Sequence, residues 1–177
     1  MEKRIKRELI YNGRILDVCV DDVELDDGKK AVREVILHNG GVCIAVKDLS
    51  DNKYFMVKQY RYVQEKEMLE FCAGKIEKNE DPDLAILREA NEELGYEVKN
   101  VKRLGQVIPT CAYCSEINYL YYGEKGEFVG QHFDVDERLE TYKYSFKEIK
   151  EIIKKGVIDD AKTIALMYHI ELAGLDE

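Results

Sequence analysis

The stretch GKIEKNEDPDLAILREANEELGY, Gly74 to Tyr96, sets Glu80, Glu89, Glu92 and Glu93 around a single helical segment. Glu89, Glu92 and Glu93 are related as i, i+3 and i+4, so they are neighbours on a helix, where like charges repel unless something neutralises them. A divalent cation supplies that neutralisation. Mg²⁺ takes oxygen ligands and usually joins carboxylates to substrate phosphates. Held against a diphosphate, it polarises phosphorus and lowers the pKa of a bound water. The chemistry on offer is therefore hydrolysis of a phosphoanhydride. The plainer reading is a solvated helix face, steadied by the i,i+4 pair Arg88–Glu92. A glycine loop before the cluster and a glycine directly after it argue for the site.

The elements that position these acids follow from spacing and turn chemistry. Asp81-Pro82 opens the helix, with aspartate as N-cap and proline at the first position. Gly95 closes it. Leu84, Leu87, Ala90 and Leu94 recur at helical spacing and predict the core-facing stripe, with the three acids on the opposite side. Upstream, ILDVCVDDVEL (15–25) and KAVREVIL (30–37) read as a hairpin around an Asp-Gly turn. GVCIAVKDL and KYFMVKQYRY read as a second strand pair around Ser50–Asp51–Asn52. Downstream, 97–108, 116–124 and 139–145 read as strands. SFKE (145–148) opens a helix as a capping box, and 159–174 supplies the last helix. Strands, one helix, strands and two helices predict a layered α+β fold.

Bulk properties narrow the partners. The chain has 177 residues, the size of one ordinary domain. A net charge of −9 leaves no broad basic field for nucleic-acid backbone or an anionic membrane. It leaves room for a small anionic substrate met by local arginines or by cations on carboxylates. No apolar run nears the ~20 residues of a membrane span, and the charged start lacks the apolar core of a signal peptide. Five cysteines, an odd count, suit a reducing, cytoplasmic setting. Cys111 and Cys114 form a lone CxxC without the two further ligands of a zinc site, so buried thiols are expected there. His38, His132 and His169 are isolated and read as structural.

The order Gly74, five residues, Glu80, seven residues, Arg88-Glu89-Ala90-Asn91-Glu92-Glu93-Leu94-Gly95-Tyr96 resembles the Nudix box, G-x5-E-x7-R-E-U-x-E-E-x-G-U, where U is bulky or apolar. All fixed positions agree, and Ala90 is small for the first U. Chance agreement somewhere in the chain is on the order of one in a hundred thousand at typical residue frequencies. The resemblance implies a Nudix hydrolase: an α/β/α sandwich around a mixed sheet, acting on a nucleoside diphosphate linked to another moiety. It implies that Glu89, Glu92 and Glu93 bind Mg²⁺ (or Mn²⁺) with the backbone carbonyl of Ala73. Arg88 and Glu80 would fix the loop and orient those ligands.

The resemblance extends over most of the chain. QYRY (59–62) followed by LEFCAGKIEKNE (69–80) is similar to the ADP-ribose pyrophosphatase group, as is VREV (32–35). By position, Arg33, Arg61, Glu70 and Glu116 would bind substrate, an arginine fork being suited to a diphosphate. In DVDERLE (134–140), Glu137 is the positional match for a further metal carboxylate. Val135 stands where another glutamate is expected, which leaves the general base open among Asp134, Asp136, a box glutamate and a metal-bound hydroxide. Cys72 and Cys111 replace two prolines of the group, and Ala112 replaces a glycine. Tyr113 is a candidate for stacking on a base. In that group the N-terminal strands build a homodimer, so residues 1–37 are expected as a β-rich extension used for dimerisation, with the Nudix domain at 38–177.

The expected activity is Mg²⁺-dependent hydrolysis of ADP-ribose or a related nucleoside diphosphate sugar to a nucleoside monophosphate and a sugar phosphate. Within the same class the rival is a GDP-sugar or other NDP-sugar pyrophosphatase. From another class, the rivals are a non-catalytic Nudix ligand-binding module and a plain structural domain.

Overall fold

The computed structural model describes residues 1–132 and 138–176. Strand β4 (Gly41–Asp48), GVCIAVKD, is buried along its whole length. A strand that apolar suits a position covered on both faces. Its alternate side chains enter two cores. Cys43 and Ala45 join Phe146, Ile149, Leu166, Met167 and Ile170. Val42, Ile44 and Val46 join Ala85, Ile86, Ala90 and Leu94. Helices α2 (Phe146–Lys154) and α3 (Ala161–Leu172) supply the first set, and α1 (Pro82–Leu94) the second. Helices on both faces of the sheet give the expected sandwich.

The main sheet runs β10 (Leu139–Tyr144), β5 (Lys53–Arg61), β4, β9 (Asn118–Phe128), β8 (Tyr96–Val107). Two short strands extend it: β6 (Lys66–Glu70) pairs with β5, and β7 (Cys72–Lys75) pairs with β4. The β4–β9 pair is parallel and the others are antiparallel, so the sheet is mixed. This sheet and its helices form one compact unit, Gly41–Val107 with the chain from Asn118 onward.

The other unit is Met1–Gly40 with Ile108–Ile117. It is an antiparallel sheet in the order β1 (Lys3–Asn12), β2 (Leu16–Glu24), β3 (Lys30–His38). Residues 108–117 join it through a parallel bridge of Ile36 to Cys114, with Ile36 N–H donating to the Tyr113 carbonyl at 2.7 Å. Arg7 forks onto the buried Asp21 at 2.7 and 2.6 Å.

Helix boundaries match the expectations. Asp81 accepts from Asp83 N–H, and Gly95 ends α1 at φ 73°, a conformation glycine adopts without strain. Ser145 and Glu148 form the reciprocal capping box of α2. Two local expectations fail. The segment around Gly74 is not a loop, because β7 pairs it with Val42 of β4. The apolar stripe of α1 is also elsewhere. Ala85, Ile86, Ala90 and Leu94 are buried, whereas Leu84 and Leu87 are exposed. Small residues let the helix approach the sheet closely, and that choice rotates Glu89 and Glu93 inward.

Candidate active site

Because α1 packs on its alanine side, its acids face protein and not open solvent. Glu93 is 2% exposed, Glu89 is buried, and Glu92 is half-buried. Burying carboxylates is costly unless they are paired or hydrogen-bonded, and the surroundings supply partners. Arg88 is the hub. Its Nε and Nη2 donate to the two oxygens of Glu80 at 3.0 Å each. Its Nη1 donates to Glu89 at 2.9 Å and to Glu92 at 3.1 Å. Nη2 also donates to the Lys75 carbonyl at 3.2 Å. Only a planar guanidinium offers that many fixed donors. The hydrogen bonds from Arg88 hold the Glu80 carboxyl below its usual range, and those to Glu80 push Arg88 up.

Strand β7 forms the other wall. A Cβ on Gly74 would stand 1.8 Å from the carboxyl carbon of Glu89, so only glycine leaves room for that group. Ala73 N–H donates to Glu93 Oε2 at 3.3 Å. Burial, then the neighbouring Glu93 charge, pushes the Cys72 thiol well up. At the end of α1, His132 N–H donates to the Glu92 carbonyl at 3.0 Å and Gln131 Nε2 to the Glu93 carbonyl at 2.7 Å. The chain before residue 133 thus caps the last turn of the acidic helix.

Glu70, 1% exposed, anchors a second cluster. Arg61 forks onto it at 2.7 and 2.6 Å. Lys162 pairs with it as well, and with Asp160 at 3.0 Å. Burial works to raise the Glu70 pKa, but Arg61 and Lys162 outweigh it and hold the group at about 2. One residue on, Phe71 N–H donates to the Thr163 hydroxyl at 3.0 Å. Residues 70–74 therefore tie the start of α3 to the acids of α1.

The structure brings Glu80, Arg88, Glu89, Glu92, Glu93 and Ala73 together as expected, and Arg61 with Glu70. The expected triple-carboxylate face needs correction. Among the described residues, no three His, Cys, Asp or Glu side chains are gathered into a ready cation cage. Arg88 stands between Glu89 and Glu92, while Glu93 turns to β7. Arg33 and Glu116 belong to the N-terminal unit, where Arg33 forks onto Glu2. Tyr113 is exposed there. Cys111 is exposed and Cys114 half-buried, against the expectation of buried thiols, because they occupy a surface turn. Cys19, Cys43 and Cys72 are buried. Glu137, with Asp134, Val135 and Asp136, lies outside the described residues. Lys162, Asp160 and Thr163 were missed from sequence. The only local signal for them was their place at the start of a capped helix.

The comparisons fit this geometry. The NUDIX domain family matches residues 37–167, most of the chain. The chain belongs to the Nudix family. A second match, to the nucleoside diphosphate sugar hydrolase N-terminal domain, covers residues 2–36. Among curated relatives, this Nudix chain is 37% identical to a methanol dehydrogenase activator of Bacillus methanolicus, over 97% of this chain and 93% of that protein. It is 33% identical to an ADP-ribose pyrophosphatase of Bacillus subtilis, with the same coverage of both. It is 26% identical to a GDP-mannose pyrophosphatase of Cronobacter sakazakii, over 94% and 93%. A crystal structure of an ADP compounds hydrolase shares the fold at TM-score 0.84 and 18% identity, over 98% of this chain and 95% of that one. None of the described helices is long and apolar enough to cross a membrane.

Nudix hydrolases in general need a divalent metal ion. The residues present fit one. Three carboxylates, Glu80, Glu89 and Glu92, share one guanidinium and Glu93 lies against β7, which leaves an acid-rich, partly buried site of hard oxygen donors. Gly74 leaves room for the Glu89 carboxyl itself.

Proposed function

We propose that the chain hydrolyses the diphosphate bond of ADP-ribose, or of a closely related nucleoside diphosphate sugar, using Mg²⁺ and releasing a nucleoside monophosphate and a sugar phosphate. The excess of acid over base around Arg88 carries this reading. Such a charge pattern weakens a fold unless a cation and a substrate come to it. The relatives named above supply the substrate class.

In this reading Glu89, Glu92, Glu93 and the Ala73 carbonyl hold the ion, joined by Glu137. The ion supplies charge neutralisation at phosphorus and a more acidic water. Arg88 keeps the carboxylates apart and aimed, with Glu80 holding Arg88 in turn. Arg61, kept extended by the buried Glu70, presents its remaining donors to phosphate oxygens. Arg33 and Glu116 contribute further substrate contacts. Residues 1–37 form the dimerisation extension of a Nudix domain at 38–177. Ile5, Leu9, Ile10 and Tyr11 of β1 are each more than half exposed on an edge strand, a surface that suits a second copy.

Product analysis tests the proposal. With ADP-ribose and Mg²⁺, AMP and ribose phosphate are expected, and chelation should abolish both. Faster release of GMP from GDP-mannose would move the substrate to a guanosine sugar. Binding of these nucleotides with no cleavage under any divalent ion would overturn the catalytic reading. A single-copy mass in ultracentrifugation would overturn the dimer.

A further inference from the structure

We infer that Cys111 and Cys114 are a redox modification site: with a low-molecular-weight disulfide such as oxidised glutathione they close into an intramolecular disulfide. The pair lies in Ile108–Ile117, the segment that joins the N-terminal sheet, and the function proposed above makes no use of it. Of the five cysteines, Cys19, Cys43 and Cys72 are at most 1% exposed, so a dissolved reagent does not reach them. Cys111 is exposed and Cys114 half-buried. An accessible thiol that meets the reagent, with a second close by to resolve the adduct, is the arrangement of a redox-responsive dithiol.

The local backbone brings the two residues close. Cys114 N–H donates to the Thr110 carbonyl at 3.3 Å, which closes a turn over residues 111–113. Residues three apart on a helical turn stand about 5–6 Å apart between Cβ atoms, and a disulfide needs about 3.5–4.5 Å. A shift of roughly 1–2 Å closes the gap. The two arms of the turn differ in what holds them. The Tyr113 carbonyl accepts from Ile36 N–H at 2.7 Å, Ser115 N–H donates to the Ile36 carbonyl at 2.9 Å, and Ser115 Oγ accepts from His38 N–H at 2.9 Å. These bonds tie residues 113–115 to β3 and end short of Cys111, so the exposed arm makes the shift. The exchange balances by itself. The Cys111 thiolate attacks the reagent disulfide and expels one thiolate, then the Cys114 thiolate attacks the Cys111 sulfur and expels the other. Two protein thiols are oxidised, one reagent disulfide is reduced to two thiols, and the cysteine protons end on the leaving groups. The closed ring contains Ala112 and Tyr113, so closure alters how the exposed Tyr113 is presented. That kinetic consequence, unlike the disulfide, rests on the reading of Tyr113 as a residue that stacks on the substrate base.

The test equilibrates the full chain, natively folded, with glutathione at rising oxidised-to-reduced ratio. Iodoacetamide quenches the mixture, and intact mass with peptide mapping reads it. The native chain should lose both reactive thiols together, carry a Cys111–Cys114 link with no glutathione attached, and regain both thiols in dithiothreitol. Cys114→Ser should stop at a glutathione adduct on Cys111. A lasting adduct on the native chain with no internal link would overturn the inference, as would a link that forms only in denaturant. Steady-state kinetics reads the consequence. Oxidation should raise KM for ADP-ribose about fivefold with kcat nearly unchanged, and Cys111→Ser should not respond. An oxidised native chain with the link in place and an unchanged KM would overturn the kinetic consequence. A Tyr113→Ala variant that forms the link and keeps native KM in both redox states would remove the reading of Tyr113 and leave the disulfide site standing.

Discussion

Buried acids lie at the two ends of β4 in opposite circumstances, Asp48 on the strand itself and Glu89 and Glu93 on the neighbouring α1. At its far end, Asp48 is 3% exposed and receives Lys125 at 2.7 Å, Lys143 at 3.0 Å and the Ser50 hydroxyl at 2.6 Å. Lys143 also pairs with Asp51 at 2.5 Å, so two acids meet two bases. Burial opposes ionisation of Asp48, yet these partners hold its carboxyl far below the usual range. At the near end, β4 pairs with β7 beside Glu89 and Glu93. There Arg88 answers for several carboxylates at once. A balanced cluster finishes the fold. In the function proposed above, the unbalanced one on α1 would keep charge in reserve for a ligand.

Substitutions at the near end should therefore cost activity, and those at the far end stability. Glu92→Gln and Glu93→Gln should each lower kcat for sugar-nucleotide hydrolysis by on the order of 10³-fold. Their metal-free melting temperatures should be equal to or above that of the native chain, because each removes one negative charge from a crowded acidic helix. A kcat within threefold of native would break the contrast. Gly74→Ala drives a methyl into the Glu89 carboxyl. Displacing that group should cost about 10²-fold in activity, read as a loss of kcat in steady-state kinetics.

Asp48→Asn should do the reverse. It leaves two lysines without their shared acid and should cost about 2–3 kcal/mol in denaturant unfolding, with kcat and KM unchanged. Glu70 gives the smallest effect and sharpens the comparison with pH. Its folded value of about 2 lies below the ordinary 4.5. Ionised Glu70 therefore stabilises the fold above pH 4.5, and this contribution is lost as pH falls toward 2. Glu70→Gln should be less stable than native at pH 7, with the gap narrowing between pH 4.5 and 3 in thermal melts. A constant gap would mean that Arg61 and Lys162 do not set its ionisation.

Local signals in the sequence carried most of the fold. The caps Asp81, Gly95 and Ser145 are short-range hydrogen-bonding and φ requirements, and they ended the helices where expected. Most strands were readable from β-branched and aromatic runs. What was not readable is tertiary. Leu84 and Leu87 have helical spacing, but the sheet selected the alanine side of α1 for close approach, and no periodicity distinguishes the two. The strand at Cys72–Lys75 is too short to show alternation. The Glu70–Lys162 pair and the Phe71–Thr163 bond join residues far apart in the chain, so no local window contains both partners. The box acids were legible by type and spacing, but their division between Arg88 and β7 was not.

The parallel pairing of β4 with β9 has a kinetic consequence. It joins the first half of the chain to the second, with α1 and β8 in between. Such a pairing closes a large loop before its contacts repay the lost entropy. The acids of α1 can rest on β7 early, but β4 is flanked on both sides only once the later strand arrives. Refolding should accordingly be slow for a chain of this length, and a fragment ending before Asn118 should lack a stable central sheet.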